Sequence, residues 1–134
     1  MSRKKPVPEL EAREGTVMVC VTSQRQCDEL IALGSQVADQ MNAPMAVVSV
    51  QPMGVPDPAS MTLMEYLMDV ARQHDGELLV LYGNDPVPRL VEYAREHAAQ
   101  GIVMGRARGG GPSAVVEALK RALPEVQIIQ PEKN

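Results

Sequence analysis

Short apolar runs alternate along this chain with longer segments in which apolar residues recur every three or four positions. A continuous apolar run is typical of a strand buried on both faces, and the three- to four-residue spacing predicts an amphipathic helix. The runs that predict strands are residues 16–22, 45–50, 77–82, 102–104 and 126–129. Helical patterns fill the segments between these strands.

The helical patterns carry signals for where they begin and end. Asn42 and Pro44 close the first helix, Ser60 is predicted to cap the second, and Asp85 is predicted to cap the third, with Pro86 at its first position. The fourth helix covers residues 113–123. The predicted buried positions are Cys27, Leu30, Ile31, Gly34, Val37, Ala38 and Met41 in the first helix, Met61, Met64, Leu67, Met68 and Ala71 in the second, and Leu90, Val91, Ala94 and Ala98 in the third.

The alternation of strands and helices predicts an α/β fold around a parallel sheet. Ligands of such sheets bind beyond the carboxyl ends of the strands, at the point where the strand order reverses. The loops after the first and fourth strands, residues 22–25 and 105–113, are therefore the candidate binding loops. They face one crevice if those two strands are neighbours.

The length of 134 residues suits one domain that buries its own core. Residues 1–14 are charged, contain Pro6 and Pro8 and lack periodicity, so we expect a flexible tail followed by a domain at residues 15–134. The chain has no Phe or Trp. Its nine methionines are expected to be adaptable core filler.

Charge and cysteine usage argue against several classes of function. The net charge of −4 is unlike that of a nucleic-acid binder, and no segment approaches the length of a membrane span. The basic N-terminus lacks the apolar run of a signal peptide. Cys20 and Cys27 fit no metal or redox spacing. We therefore expect a cytoplasmic protein without a nucleic-acid or membrane partner.

The sequence GRARGGGPS at residues 105–113 joins the fourth strand to the last helix. Glycines in such a turn leave backbone N–H groups free to bind an anion at the helix N-terminus, and arginines supply donors that fit phosphate. We expect glycine N–H groups and Ser113 to hold a phosphate that arginines neutralise. The residues concerned are Gly109, Gly110, Gly111, Arg106 and Arg108. The alternative is a flexible loop with solvated arginines.

The loop after the first strand carries Thr22, Ser23 and Gln24, whose side chains can donate to a ribose or a phosphate. The alternative is that Ser23 or Thr22 caps the first helix, and the two roles are compatible. Catalysis is not indicated, because His74 and His97 have no paired carboxylate or cysteine at ligand spacing. The chain also lacks a Gly-x-Ser-x-Gly elbow and a Walker lysine. We therefore expect no enzymatic activity.

Five stretches of the chain carry a resemblance to a known family. They are VCVTS at residues 19–23, DELIALG at 28–34, LYGND at 81–85, VEYAREH at 91–97 and IVMGRAR at 102–108. Together they resemble the universal stress protein family, and most closely the stress-protein-like domain of KdpD-type sensor kinases. The resemblance implies a Rossmann-like fold of the adenine nucleotide alpha hydrolase type, with a five-stranded parallel sheet in the order 3-2-1-4-5 and helices on both faces. It also implies a homodimer formed through the C-terminal strand and binding of ATP or another adenine nucleotide.

Both binding loops depart from the pattern of that family. Many relatives have an acidic residue after the first strand and a Gly-x-x-Gly-x9-Gly-Ser/Thr loop after the fourth. Here residues 22–24 replace the acid, Gly105 and Gly109 lie one residue too far apart, and Ser113 arrives early. Some KdpD-type domains bind cyclic di-AMP through aromatic groups that are missing here. Stacking on such groups contributes about 1–3 kcal/mol per base, so their loss weighs against that ligand.

The residues and the resemblance together predict a regulatory or stress-response domain with an adenine-nucleotide or anion site between the two loops. Val48 and Met104 are expected to line an apolar pocket for the base, next to Gly105. The alternative is a module without a ligand that acts by homodimerisation through residues 126–129 or by docking to a kinase or transporter partner. That strand is short, apolar and expected at a sheet edge, where it invites pairing.

Overall fold

The computed structural model describes residues 15–21, 27–54, 58–105 and 113–131. Five strands and four helices alternate through these ranges. In chain order they are β1 (Thr16–Val21), α1 (Cys27–Met41), β2 (Met45–Gln51), α2 (Pro58–Gln73), β3 (Glu77–Tyr82), α3 (Pro86–Glu96), β4 (Ala99–Met104), α4 (Ala114–Ala122) and β5 (Gln127–Ile129). The predicted tail at residues 1–14 lies outside the described residues.

The strands form one parallel sheet in the order β3-β2-β1-β4-β5, which confirms the expected topology. β1 lies at the centre and pairs with β2 on one side and β4 on the other. Every residue of β1 is buried, which explains why its sequence is a continuous apolar run rather than an alternating one.

Helices cover both faces of the sheet and divide the core into two layers. On one face α1 and α2 pack against Val17, Val19 and Val21 of β1. On the other face α3 and α4 pack against Met18 and Cys20. Alternate residues of one strand therefore serve different layers, as the pleat requires. No helix in the described ranges is both long enough and apolar enough to cross a membrane.

Gly34 lets α1 approach the central strand closely. A Cβ atom at this position would lie 2.1 Å from Cγ2 of Val19 and 3.3 Å from Sδ of Met45. Because Val19 is fully buried and β-branched, its side chain has little freedom to move aside. Glycine at this point of the apolar stripe is thus needed for helix-to-sheet packing.

The sequence-based prediction for α2 was wrong at its start and on part of its apolar face. The helix begins at Pro58, whose fixed φ suits a first helical position, so Ser60 lies inside the first turn and does not cap it. The buried side chains are Leu67, Val70 and Ala71, whereas Met61 and Met68 are exposed. This helix packs against α1 and the edge strand β3, which leave its outer side uncovered by any described residue.

The predicted start of α3 is confirmed and its predicted end was wrong. The Asp85 side chain accepts a hydrogen bond from the backbone N–H of Val87 at 3.2 Å, and Pro86 is the first helical residue. The helix ends at Glu96, and Ala98 lies beyond it, exposed, with a φ of 51°. Ala98 therefore belongs to the turn into β4 and not to the buried face.

The buried face of α3 includes a residue that the spacing argument left out. Tyr93 is buried with Leu90 and Ala94, whereas Val91 is only half-buried. The Tyr93 ring stacks on His97, with 4.0 Å between the ring centroids. Burial is also the main reason that the pKa of Tyr93 rises to about 12.

Candidate functional site

The reversal of strand order at which a ligand crevice was predicted is present in the sheet, between β1 and β4. β1 and β4 are hydrogen-bonded neighbours, and the helices that follow them, α1 and α4, pack on opposite faces. The chain after β1 therefore continues into one helix layer, and the chain after β4 continues into the other. In doubly wound sheets, ligands bind in the crevice that this arrangement of strands and helices creates.

Four of the predicted site residues lie in the described part of the chain: Val48, Met104, Gly105 and Ser113. The other predicted residues fall in the ranges 22–26 and 106–112, outside the described residues, and their roles stay predictions. They are Thr22, Ser23, Gln24, Arg106, Arg108, Gly109, Gly110 and Gly111.

Ser113 is the N-cap residue of α4. Its backbone is extended (φ −98°, ψ 130°), and its Oγ accepts a hydrogen bond from the backbone N–H of Val116 at 3.3 Å. The start of α4 thus carries the partial positive charge and unpaired N–H groups of a helix N-terminus. A phosphate near this terminus would be stabilised by the partial positive charge and by hydrogen bonds from these N–H groups. The Ser113 hydroxyl accepts the bond from Val116 and still has its own proton to donate.

Val48 and Met104 lie on either side of Cys20 in the register of the sheet, so the three side chains form one row on the face that α3 and α4 cover. Val48 is closed to solvent and Met104 keeps 8% of its surface exposed. Cys20, the β1 residue of this row, lies one residue before the carboxyl end of that strand. These apolar side chains therefore belong to the core layer under α3 and α4, near the carboxyl ends of the central strands.

Burial also fixes the chemistry of the thiol in that row. Desolvation raises the pKa of Cys20 to about 12, so the thiol stays protonated near neutral pH and is a poor nucleophile. Cys27 is buried as well. In the described ranges, no three His, Cys, Asp or Glu side chains lie close enough together to hold a metal ion.

Gly105 follows β4 directly and is half-buried. A Cβ atom there would lie 3.5 Å from Cδ1 of Leu30, an ordinary van der Waals contact. Its carbonyl oxygen accepts a hydrogen bond from Nε2 of Gln130 at 3.1 Å. The packing of the described residues thus tolerates a side chain at this position.

Sequence reasoning missed a polar pair at the carboxyl end of β2. Ser49 is fully buried in register with Val21, and its Oγ accepts a hydrogen bond from Nε2 of Gln51 at 2.7 Å. The available signal was a single hydroxyl in the apolar run at residues 45–50. With the Gln130 amide, this pair brings uncharged hydrogen-bonding groups to the strand ends on both sides of β1.

Comparison with known proteins relates this architecture to solved structures. The sequence matches no protein-family model and none of the curated proteins compared with it. Its fold resembles that of a universal stress protein from Archaeoglobus fulgidus, with a TM-score of 0.71 and 19% identity over 87% of this chain and 92% of that chain.

Two further solved structures that resemble the fold contain adenine nucleotides. One is the Archaeoglobus fulgidus universal stress protein in complex with dAMP, with a TM-score of 0.67 and 20% identity over 87% of this chain and 96% of that chain. The other is a universal stress protein family protein from Arabidopsis thaliana with AMP bound, with a TM-score of 0.60 and 16% identity over 90% of this chain and 92% of that chain. At these identities the likeness establishes a shared fold.

Proposed function

We propose that this chain is a non-enzymatic regulatory domain of the universal stress protein type that binds an adenine nucleotide between the loops after β1 and β4. The observation that carries the proposal is the position of the Ser113-capped N-terminus of α4 beside the crevice between these strands. The phosphate binds at that terminus. The base lies toward the apolar row of Val48 and Met104.

Three features support this assignment. The glycine- and arginine-rich sequence at residues 105–113 precedes the capped helix, so anion donors are concentrated where the dipole favours negative charge. The Ser113 hydroxyl and the Gln130 amide, which lie at the start of α4 and next to Gly105, are uncharged hydrogen-bonding groups that suit a ribose and a base. Structures of the same fold are known with dAMP and AMP bound.

The proposed role is to report nucleotide binding to another protein rather than to transform the nucleotide. The Cys20 thiol is held neutral by burial, so it offers no nucleophile at the crevice. A KdpD-like kinase or a transporter is the class of partner that the sequence resemblance favours, in the setting of the cytoplasm.

Calorimetric titration of AMP and ATP tests the site through its arginines. The double variant Arg106→Ala/Arg108→Ala removes two charge-assisted donors, so we expect binding to weaken about a hundredfold, equivalent to about 3 kcal/mol. The matched control is Lys120→Ala/Arg121→Ala, which removes the same charge from the last turn of α4, at the end of the helix away from Ser113. Equal affinity in parent and Arg106→Ala/Arg108→Ala protein would place the site elsewhere.

A second candidate function is homodimerisation through the C-terminal strand. It is favoured by the position of β5 at the edge of the sheet, where its outer side has no strand partner among the described residues. Under this candidate, Ile128→Asp halves the mass in solution and leaves nucleotide affinity unchanged. Retention of the dimer in that variant rejects it.

A further inference from the structure

The opposite edge of the sheet is formed by β3, and its sequence is unusual for an edge. In the described part of the chain β3 is hydrogen-bonded to β2 alone. Residues 78–82, Leu-Leu-Val-Leu-Tyr, are all apolar, without the charge, proline or bulge that natural edge strands use to prevent pairing. Four of its six residues are half-buried and the two end residues are exposed, so part of the surface of every residue is open to solvent.

Exposed apolar side chains flank this edge on the face covered by α2. Met53, Met61 and Tyr82 are among the most exposed large apolar residues described, and they line a cavity of about 420 Å³ with Met64 and Val80. Met68 is exposed one to two turns further along the same stripe of α2. Tyr66, on the side of α2 toward α1, is engaged in donating a hydrogen bond to Asp28.

We propose that this edge is an interface with a second copy of the chain, formed by antiparallel pairing of β3 with the β3 strand of the partner. Residues directly opposite each other in an antiparallel pair point to the same face. Leu78 packs with the α1 and α2 layer, and Leu79 and Leu81 pack with the α3 and α4 layer. A two-fold axis perpendicular to the sheet and midway between the two Val80 residues keeps these faces together. Leu79 then lies opposite the partner's Leu81, and Tyr82 opposite the partner's Leu78.

Charge complementarity at the two ends of β3 is the reason that we propose a second copy of the chain as the partner at this edge. In this register Glu77 lies opposite the partner's Gly83. The Arg89 side chain covers Gly83, since a Cβ atom there would lie 3.0 Å from Cγ of Arg89. Glu77 points to the same face of the sheet, because its position alternates with Leu78 and its charge acts on Tyr93 of α3.

The Glu77 carboxylate therefore meets the guanidinium of the partner's Arg89, and the symmetry produces this pair twice. Arg89 already contacts Glu92 within its own helix at 3.2 Å, but a guanidinium has five donors and can serve both carboxylates.

On the face of the sheet that α1 and α2 cover, the methionines of the two α2 helices come together. Their flexible thioethers can repack into an interface without strain.

The two sheet edges make different predictions about self-association. β3 offers six residues for pairing, whereas β5 offers three. In an antiparallel pair alternate residues add backbone hydrogen bonds and every residue adds a cross-strand contact, so the longer apolar strand is the better interface. Pairing through β3 leaves the crevice between β1 and β4 open, and it does not depend on the proposed nucleotide site.

Sedimentation equilibrium from micromolar to millimolar protein, supported by light scattering, tests the interface. We expect a concentration-dependent dimer of twice the 14.5 kDa chain mass. Glu77→Arg and Arg89→Glu each convert two attractions into two repulsions at exposed positions, so each is expected to weaken dimerisation at least about tenfold. The double variant Glu77→Arg/Arg89→Glu restores the opposite charges and is expected to recover most of the parent affinity.

Charge reversals on the far side of the molecule serve as controls. Glu117→Arg and Lys120→Glu change exposed residues of α4 and are expected to leave the dimer unchanged. The proposal is overturned by a parent protein that stays monomeric at millimolar concentration, or by single variants that dimerise as the parent does. Failure of the double variant to regain dimer would also overturn it, as would loss of the dimer in Ile128→Asp but not in Glu77→Arg. Circular dichroism of each variant verifies the fold.

Discussion

Replacing Gly34 with alanine tests whether α1 and β1 approach each other as closely as described. In an exposed helix this change would stabilise the fold by about 1 kcal/mol, because alanine is the better helix former. Here the added methyl would lie 2.1 Å from Cγ2 of Val19, in a core with no exposed surface at that point.

The sign of the effect depends on whether Val19 can yield. Overpacking of a closed core costs about 1–3 kcal/mol, and a β-branched, fully buried neighbour places this site at the upper end. After subtraction of the helix preference, we expect Gly34→Ala to lose about 2 kcal/mol. For a domain of this size, that loss lowers the unfolding midpoint by roughly 8 °C.

Urea and thermal denaturation followed by circular dichroism measure this loss, and two comparisons isolate its cause. Gly105→Ala adds a methyl where the nearest contact is an ordinary 3.5 Å, so it is expected to leave stability unchanged or slightly raised. In a Val19→Ala background the clashing Cγ2 atom is absent, so Gly34→Ala should no longer destabilise the protein. A Gly34→Ala protein as stable as the parent would refute the close approach.

Two further predictions concern the buried thiol of Cys20 and the N-cap of α3. The folded state holds the Cys20 proton up to about pH 12, whereas an unfolded thiol releases it near 9.0, so the free energy of unfolding falls with rising pH across that window by up to about 1.4 kcal/mol per unit. Urea titrations along this pH range should show that the free energy of unfolding declines less steeply with pH in Cys20→Ala than in the parent. Identical dependence on pH in the two proteins would contradict the buried thiol. Asp85→Ala removes the cap of α3 and is expected to lose about 1 kcal/mol in the same assay. Asp69→Ala, an exposed carboxylate of α2, is the control, and equal losses in the two would argue against a capping role.

Local signals in the sequence predicted much of the fold. The bounds of β3, the end of α1 before Asn42 and the Asp85 cap were predicted residue by residue, because periodicity, helix-stopping residues and a capping residue beside proline are determined by neighbours in the chain. The order of the strands needed the family resemblance, since the alternation of elements alone does not say which strands pair.

The errors arose where burial depends on distant parts of the chain. Met61 and Met68 have the spacing of a buried stripe, and only the position of α2 at the sheet edge leaves them exposed. Ala98 continues the periodicity of α3 but follows the turn that ends it. The Ser49–Gln51 pair could not be anticipated as a pair, because its hydrogen bond depends on side-chain geometry at the end of β2.

The central claim is that the crevice between β1 and β4 binds adenine nucleotides. Thermal unfolding of the full chain with AMP, ADP, ATP and cyclic di-AMP, each with and without magnesium, tests it most directly, with the matching uracil mononucleotides as controls. An adenine mononucleotide at a hundred times its dissociation constant should add about 2.7 kcal/mol and raise the midpoint by roughly 10 °C, with little effect from its uracil counterpart. An unchanged midpoint with every adenine nucleotide would contradict the account.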